Sequence, residues 1–282
     1  MQIKHAMRNA FTMLELIFVV IILGIVASIG SSIIADVYTS YIVERGQYRS
    51  NIKTETALSQ IANRLRYAIP GTVGYRTAIG NAFVNLSSAA AVPANATVLQ
   101  WVGYDGDSFE AIDSGAATGA TRRPGWSGFC DINAYVPAAT ALPTPGSNMA
   151  LATAIVANLN GNIANAQIYF PDGTNYGIAG GAGESITLDA AIPVGSEIYE
   201  RYKLAWTSYA LSVEGDDLFL YSHFAPTVAS PLAGGSRNLL MEDIANFRFR
   251  VTEGAIRIKI CKAEGTLDIN DTVHACKEKV IF

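Results

Sequence analysis

Residues 16–35 run for twenty positions without a charged side chain, and the acid Glu15 stands immediately in front of them. A helix of that length covers the ~30 Å of hydrocarbon in a bilayer, so the run is a membrane-span candidate. Glu15 is the anomaly. A carboxylate costs roughly 2.5–3.5 kcal/mol if it lies near the bilayer centre, and an intramembrane acid is by default functional, with a partner to be named. A cleaved secretory signal shares the basic start and apolar core. It would be shorter, would end in an Ala-x-Ala site and would carry no acid at its head. A plain signal anchor accounts for the length but leaves Glu15 without a role.

Gly24, Ser28 and Ser32 recur every fourth residue in this run, with Ala27, Ser31 and Ala35 beside them. On a helix they form a ridge of small side chains, the kind of surface that lets helices approach closely in lipid. Together with Glu15, the ridge favours a helix–helix assembly face. No proline lies in residues 36–69, and the apolar positions Tyr38, Tyr41, Tyr48, Ile52, Leu58, Ile61 and Leu65 fall largely at three- and four-residue steps. That pattern predicts an amphipathic continuation of the same helix, ended by Pro70-Gly71, with its stripe packed against a sheet. Gly30 is the weak point at which a bend would form.

Lys4 and Arg8 in a short leader, the small Ala10, then Phe11-Thr12-x-x-Glu15 and the apolar helix resemble the prepilin signal of type IV pilins and pseudopilins. The resemblance covers the first 35 residues. It implies a leader at 1–10, a membrane and assembly helix at 11–35, its amphipathic continuation at 36–69 and an extracytoplasmic domain at 70–282. It implies that a prepilin peptidase cuts between Ala10 and Phe11 and methylates the new amine. It further implies that Glu15 pairs with the terminal amine of a neighbouring subunit. Ala10 departs from the usual glycine at the cut but is still small, which implies slower or species-adapted processing, not its loss. The implied setting is a bacterial inner membrane, with the N-terminus cytoplasmic and the domain periplasmic. The implied partners are other pilin or pseudopilin subunits, membrane lipid before assembly, and an assembly platform driven by a cytoplasmic ATPase.

The remainder reads as a loop-rich β domain, so the expected class is α+β: a long N-terminal helix packed on a C-terminal antiparallel sheet, in the manner of pilins. Strands are expected at 97–104, 166–170 and 184–188, hairpins at 202–224 and 247–261, and a last strand at 279–282. In the second hairpin Arg248, Arg250, Arg257 and Lys259 alternate with Phe247, Phe249, Ile256 and Ile258, the mark of a sheet with one solvated face. The glycine-rich 177–183 lacks the Gly-Lys-Ser/Thr ending of a phosphate loop and reads as a flexible turn. The C-terminal hairpin and the Leu239-Leu240, Ile244 and Phe247-x-Phe249 positions resemble larger minor pilins and J-type pseudopilins, on a far less specific pattern.

Three cysteines contain no Cys-x-x-Cys. Cys261 and Cys276 lie at a spacing that suits a disulfide across one hairpin-sized loop, in an oxidising compartment; two reduced, half-buried thiols are the alternative. Cys130 is left as a buried free thiol. The formal charge of −4 becomes −6 once Lys4 and Arg8 leave with the leader, a balance that disfavours nucleic-acid binding.

Catalytic signals are weak. Gly125-Trp126-Ser127-Gly128 is not a nucleophile elbow, and His223 and His274 stand in strand and loop contexts without a matching nucleophile. No enzyme activity and no cofactor is expected. The candidate calcium ligands are Asp268 and Asp271, in a turn that does not follow the twelve-residue loop pattern. The expected function is a structural minor pilin or pseudopilin subunit of a type IV pilus or type II secretion pseudopilus, with a priming or tip position left open. The alternative is a membrane-anchored extracytoplasmic binding or adhesin module whose helix is only a tether.

Overall fold

A computed structural model describes residues 12–89, 91–113, 122–252, 254–265 and 272–281. The chain divides into two compact units, one holding residues 1–49 with 264–273, the other residues 50–263 with 274–282. The class is α+β: one long apolar N-terminal helix and a mostly antiparallel β domain.

Helix α1 runs from Met13 to Leu65 without interruption, through Gly30. It starts where Thr12 places its Oγ1 to accept from the Glu15 backbone N–H at 3.4 Å, while the Thr12 carbonyl accepts from Leu16 N–H. Thr12 is thus the N-cap, and Glu15 stands three residues on, where a carboxylate also favours the positive end of the helix dipole. In the first unit every residue from Thr12 to Ile29 is exposed. This is the one helix among the described residues long and apolar enough to cross a membrane.

Burial begins only at Ser50. The buried face comprises Ser50, Thr54, Ala57, Leu58, Ile61, Ala62 and Leu65, three and four residues apart. The anticipated stripe therefore needs a correction: Tyr38, Tyr41, Tyr48 and Ile52 are exposed. Helical periodicity reports which face is apolar; it does not report what covers that face. The helix also ends at Leu65, four residues short of Ile69, as Tyr67 and Ala68 close a turn onto Arg64 and Leu65.

In the second unit a six-stranded sheet has the order β11-β10-β9-β3-β1-β2. Its strands are β1 (Gly74–Arg76), β2 (Val84–Asn85), β3 (Val98–Gly103), β9 (Thr207–Glu214), β10 (Asp217–Phe224) and β11 (Ser236–Met241). Strands β9 and β10 are joined by Gly215-Asp216, with Glu214 opposite Asp217 and Gly215 at φ 62°, a left-handed position that suits a two-residue hairpin. A second sheet pairs β12 (Ile244–Thr252), β13 (Ala255–Gly265) and β14 (Thr272–Ile281). Its Phe247, Phe249, Ile258 and Ile260 join Leu58, Ile61, Leu65, Leu99, Trp101 and Leu211 in one core. The last strand is much longer than residues 279–282. Lys279 Nζ donates to Ser59 Oγ at 3.2 Å, and Lys277 lies 3.7 Å from Glu55, so β14 is tied to the packed part of α1.

Cys261 on β13 and Cys276 on β14 form a disulfide, with Cα atoms 4.0 Å apart. Closing a loop of this sequence separation is worth roughly 3 kcal/mol in the chain-entropy account. Cys130 is free and buried, and burial pushes its thiol pKa up to about 11.

A third sheet, β4-β7-β6-β5-β8, surrounds a separate core. Its strands are β4 (Ala141–Pro143), β5 (Gln167–Tyr169), β6 (Asn175–Ala182), β7 (Ser185–Leu188) and β8 (Lys203–Ala205). Here the glycine-rich segment proves to be strand, not flexible turn: Gly180, Gly181 and Ala182 pair with Thr187, Ile186 and Ser185. The glycines serve close approach. A Cβ on Gly181 would lie 3.0 Å from Met149 Cγ, so its absence lets a helix sit down on the sheet. That helix, α3 (Met149–Asn158), buries Met149, Ala152 and Val156 and is capped by Asn148, whose side chain accepts from Leu151 N–H. The short helix α2 (Gly106–Glu110) precedes it in the chain.

Candidate functional site

Two surfaces carry functional potential, one in each unit. On α1, Glu15 is exposed in the first turn, and Gly24, Ser28 and Ser32 lie exposed at four-residue intervals on one side of the helix. Gly24 has nothing within 4 Å of where a Cβ would stand, and Ser32 returns its hydroxyl to the Ile29 carbonyl at 2.8 Å. Ser32 therefore presents little free polarity, and the apolar residues around it have no protein cover in the isolated chain. Thr12 gains a role as the cap of this helix, and Thr12-x-x-Glu15 is the sequence form of a capping box. Ala10, Phe11, Asp268 and Asp271 lie outside the described residues, as does the side chain of His274.

The second surface is a cleft of about 440 Å³ walled by Tyr104, Phe109, Trp126, Phe129, Phe170 and Tyr202. Sequence patterning did not find it. It is built where residues 127–130 run beside 200–202: Cys130 N–H donates to Glu200 O, Tyr202 N–H donates to Gly128 O, and Phe129 bridges Arg201. Tyr202 turns inward, where burial pushes its hydroxyl pKa up to about 12. Arg201 and Lys203, its neighbours in the chain, also line the cleft. The Arg201 guanidinium sits 4.6 Å from the Phe129 ring centre, and the Lys203 ammonium 4.8 Å from that of Tyr104. Burial lowers the Lys203 pKa and raises that of Tyr104.

The floor of this region is anchored by Asp105, the N-cap of α2. Its Oδ1 accepts from Ser108 N–H at 3.0 Å, and its carbonyl accepts from the Trp126 indole N–H at 2.9 Å. Oδ2 is buried without a hydrogen bond among the described residues, and the Trp206 indole is the least of the groups that favour its charge. Burial accordingly raises the Asp105 pKa above 3.8, with the Ser108 bonds opposing the shift. The sign follows from linkage. Above pH 3.8 the unfolded chain loses this proton while the folded chain still holds it, so stability falls as pH rises from 3.8 through the raised value. Asp105→Asn keeps an oxygen for the cap and removes the ionisation. Its melting temperature relative to the parent should rise between pH 4 and pH 7; a pH-independent difference would contradict the assignment.

His223 and Ser127 both have local hydrogen-bond partners. His223 Nε2 faces the Leu159 carbonyl at 2.9 Å, its Nδ1 faces Ser222 Oγ at 2.9 Å, and its ring packs on Trp206. Ser127 Oγ receives the hydroxyl of Ser147 at 3.1 Å and the backbone N–H of Phe129 at 3.3 Å. No group of three or more His, Cys, Asp or Glu side chains placed to hold a metal is found among the described residues. No known protein family, curated protein or solved structure matches this chain.

Proposed function

We propose that the chain is a structural minor subunit of a type IV pilus or type II secretion pseudopilus, joining the filament through its N-terminal helix. One observation carries this reading: a single carboxylate stands in the first turn of an unbroken, exposed apolar helix. Such a helix needs cover, first from lipid and then from neighbouring helices. A lone Glu15 in that setting needs a cation, which the N-terminal amine of a neighbouring subunit supplies. The small residues Gly24 and Ser28 allow the close helix packing that a filament core requires. In this reading the prepilin peptidase acts between Ala10 and Phe11, the leader remains cytoplasmic and the β domain lies in the periplasm. The work of extraction belongs to a cytoplasmic ATPase and its platform. The chain itself performs no catalysis.

The second reading, a tethered binding module, is favoured by the aromatic cleft. N-terminal sequencing with mass spectrometry of the membrane-extracted protein tests the first reading directly. The expected mature chain begins with N-methylated Phe11. A chain that retains Met1, or is cut elsewhere without methylation, overturns it.

A further inference from the structure

We propose that the cleft between β8 and the 126–129 segment binds a small organic anion with a flat apolar body, such as an aromatic carboxylate. The cavity of about 440 Å³ falls within the range of small-molecule sites, and its walls are aromatic rings and prolines. Among the described residues its lining includes no Asp, Glu, Asn or Gln side chain. The lining thus offers a saccharide the donors of Arg201 and Lys203 but few side-chain acceptors for its hydroxyl hydrogens, which disfavours saccharides as the occupant.

The charge of the cleft is one-sided. Arg201 and Lys203 are two residues apart on extended chain, so both lie on the same face, about 6.5 Å apart at the backbone. The interactions found for them are with ring faces, Phe129 and Tyr104, and neither forms a salt bridge among the described residues. A cation–π contact at a partly open site is worth only about 0.5–1 kcal/mol, less than a charge-assisted bond to an oxyanion. Lys203 is half-buried, and burial disfavours its ammonium, a cost that a bound anion would offset. Phe109 and Phe129 are each 44% exposed at the mouth, leaving ring surface for an apolar body to cover. The occupant is thus defined by two requirements together: an acidic head for Arg201 and Lys203, and a planar apolar remainder for the rings. The inference is independent of whether α1 assembles into filaments.

The test is calorimetric titration of the full chain in lipid nanodiscs with 2-naphthoate, its neutral isostere 2-naphthamide and the acidic sugar galacturonate, with empty nanodiscs subtracted. Naphthoate should bind with sub-millimolar affinity, and the other two at least about ten-fold more weakly, the worth of one charge-assisted contact. Arg201→Met and Lys203→Met should each weaken naphthoate several-fold while leaving naphthamide unchanged, and Phe129→Ala should weaken both. Equal affinity for naphthoate and naphthamide, tighter binding of galacturonate, or absence of naphthoate binding to the parent chain would each overturn the proposal. The ligand comparison on the parent decides even if a variant misfolds.

Discussion

Glu15→Gln is expected to remove the chain from filaments by about 100-fold or more while leaving its membrane insertion intact. The magnitude follows from the proposed pairing. Truncating one partner of a buried ion pair costs about 3–5 kcal/mol, because the remaining charge is left uncompensated, and 1.4 kcal/mol is ten-fold. Glutamine is the informative replacement. Glu15 also stands at the N3 position of α1, three residues after the Thr12 cap, where glutamine is equally acceptable. The local helix-dipole contribution of the charge is only about 0.3–1 kcal/mol, too little to account for lost assembly. Immunoblots of sheared filaments against the membrane fraction measure the outcome. Normal incorporation of the variant would exclude the assembly role and leave the tether reading, in which Glu15 is a helix-start residue and nothing more.

What could be read from the residues, and what could not, divides along the range of the interactions. The strand pairing of Phe247–Val251 with Ile256–Ile260 was legible because its alternating cations announce a solvated face. The Cys261–Cys276 bridge was legible because the two cysteines sit at a hairpin spacing. Helix α3 was not anticipated: residues 149–158 are apolar on nearly every side, so no period stands out, and its identity comes from burial on the third sheet. The glycines of β6 carry the opposite lesson, since a residue type that signals turns in isolation here permits Met149 to approach the strand. The cleft was invisible for a topological reason. Its walls come from five stretches, near residues 69, 104, 126, 170 and 202, brought together by separate pairings: 69 with 102, 105 with 204, 169 with 203, and 128–130 with 200–202.

Arg76 shows the same limit in the core and carries the largest expected effect on stability. Its side chain is buried with no salt bridge found among the described residues, yet it is well occupied. Nε donates to Gln100 Oε1 at 3.0 Å, Nη1 to the Asn81 carbonyl, and Nη2 to the carbonyls of Ala229 and Ser230 at 2.8 and 3.0 Å. Gln100 Nε2 donates to the same Ser230 carbonyl at 2.9 Å. Burial lowers the Arg76 pKa, but a guanidinium stays charged throughout the working range, so its charge is dispersed over neutral acceptors. The fork ties β1, β3 and the 229–230 turn together, and Ala229 is held at φ 64°, a left-handed backbone that needs such support. Arg76→Met has similar length and no donors. It would strand several acceptors at about 1–3 kcal/mol apiece, and partial relaxation brings the expected loss to roughly 3–5 kcal/mol. For a domain of this size that lowers the melting temperature by roughly 10 °C. Lysine should restore only part of it, because a single ammonium cannot span acceptors arranged for a planar fork. Thermal melts followed by near-ultraviolet circular dichroism distinguish the cases. A methionine variant within about 2 °C of the parent, the range of an ordinary surface substitution, would mean that the fork follows the fold and does not hold it.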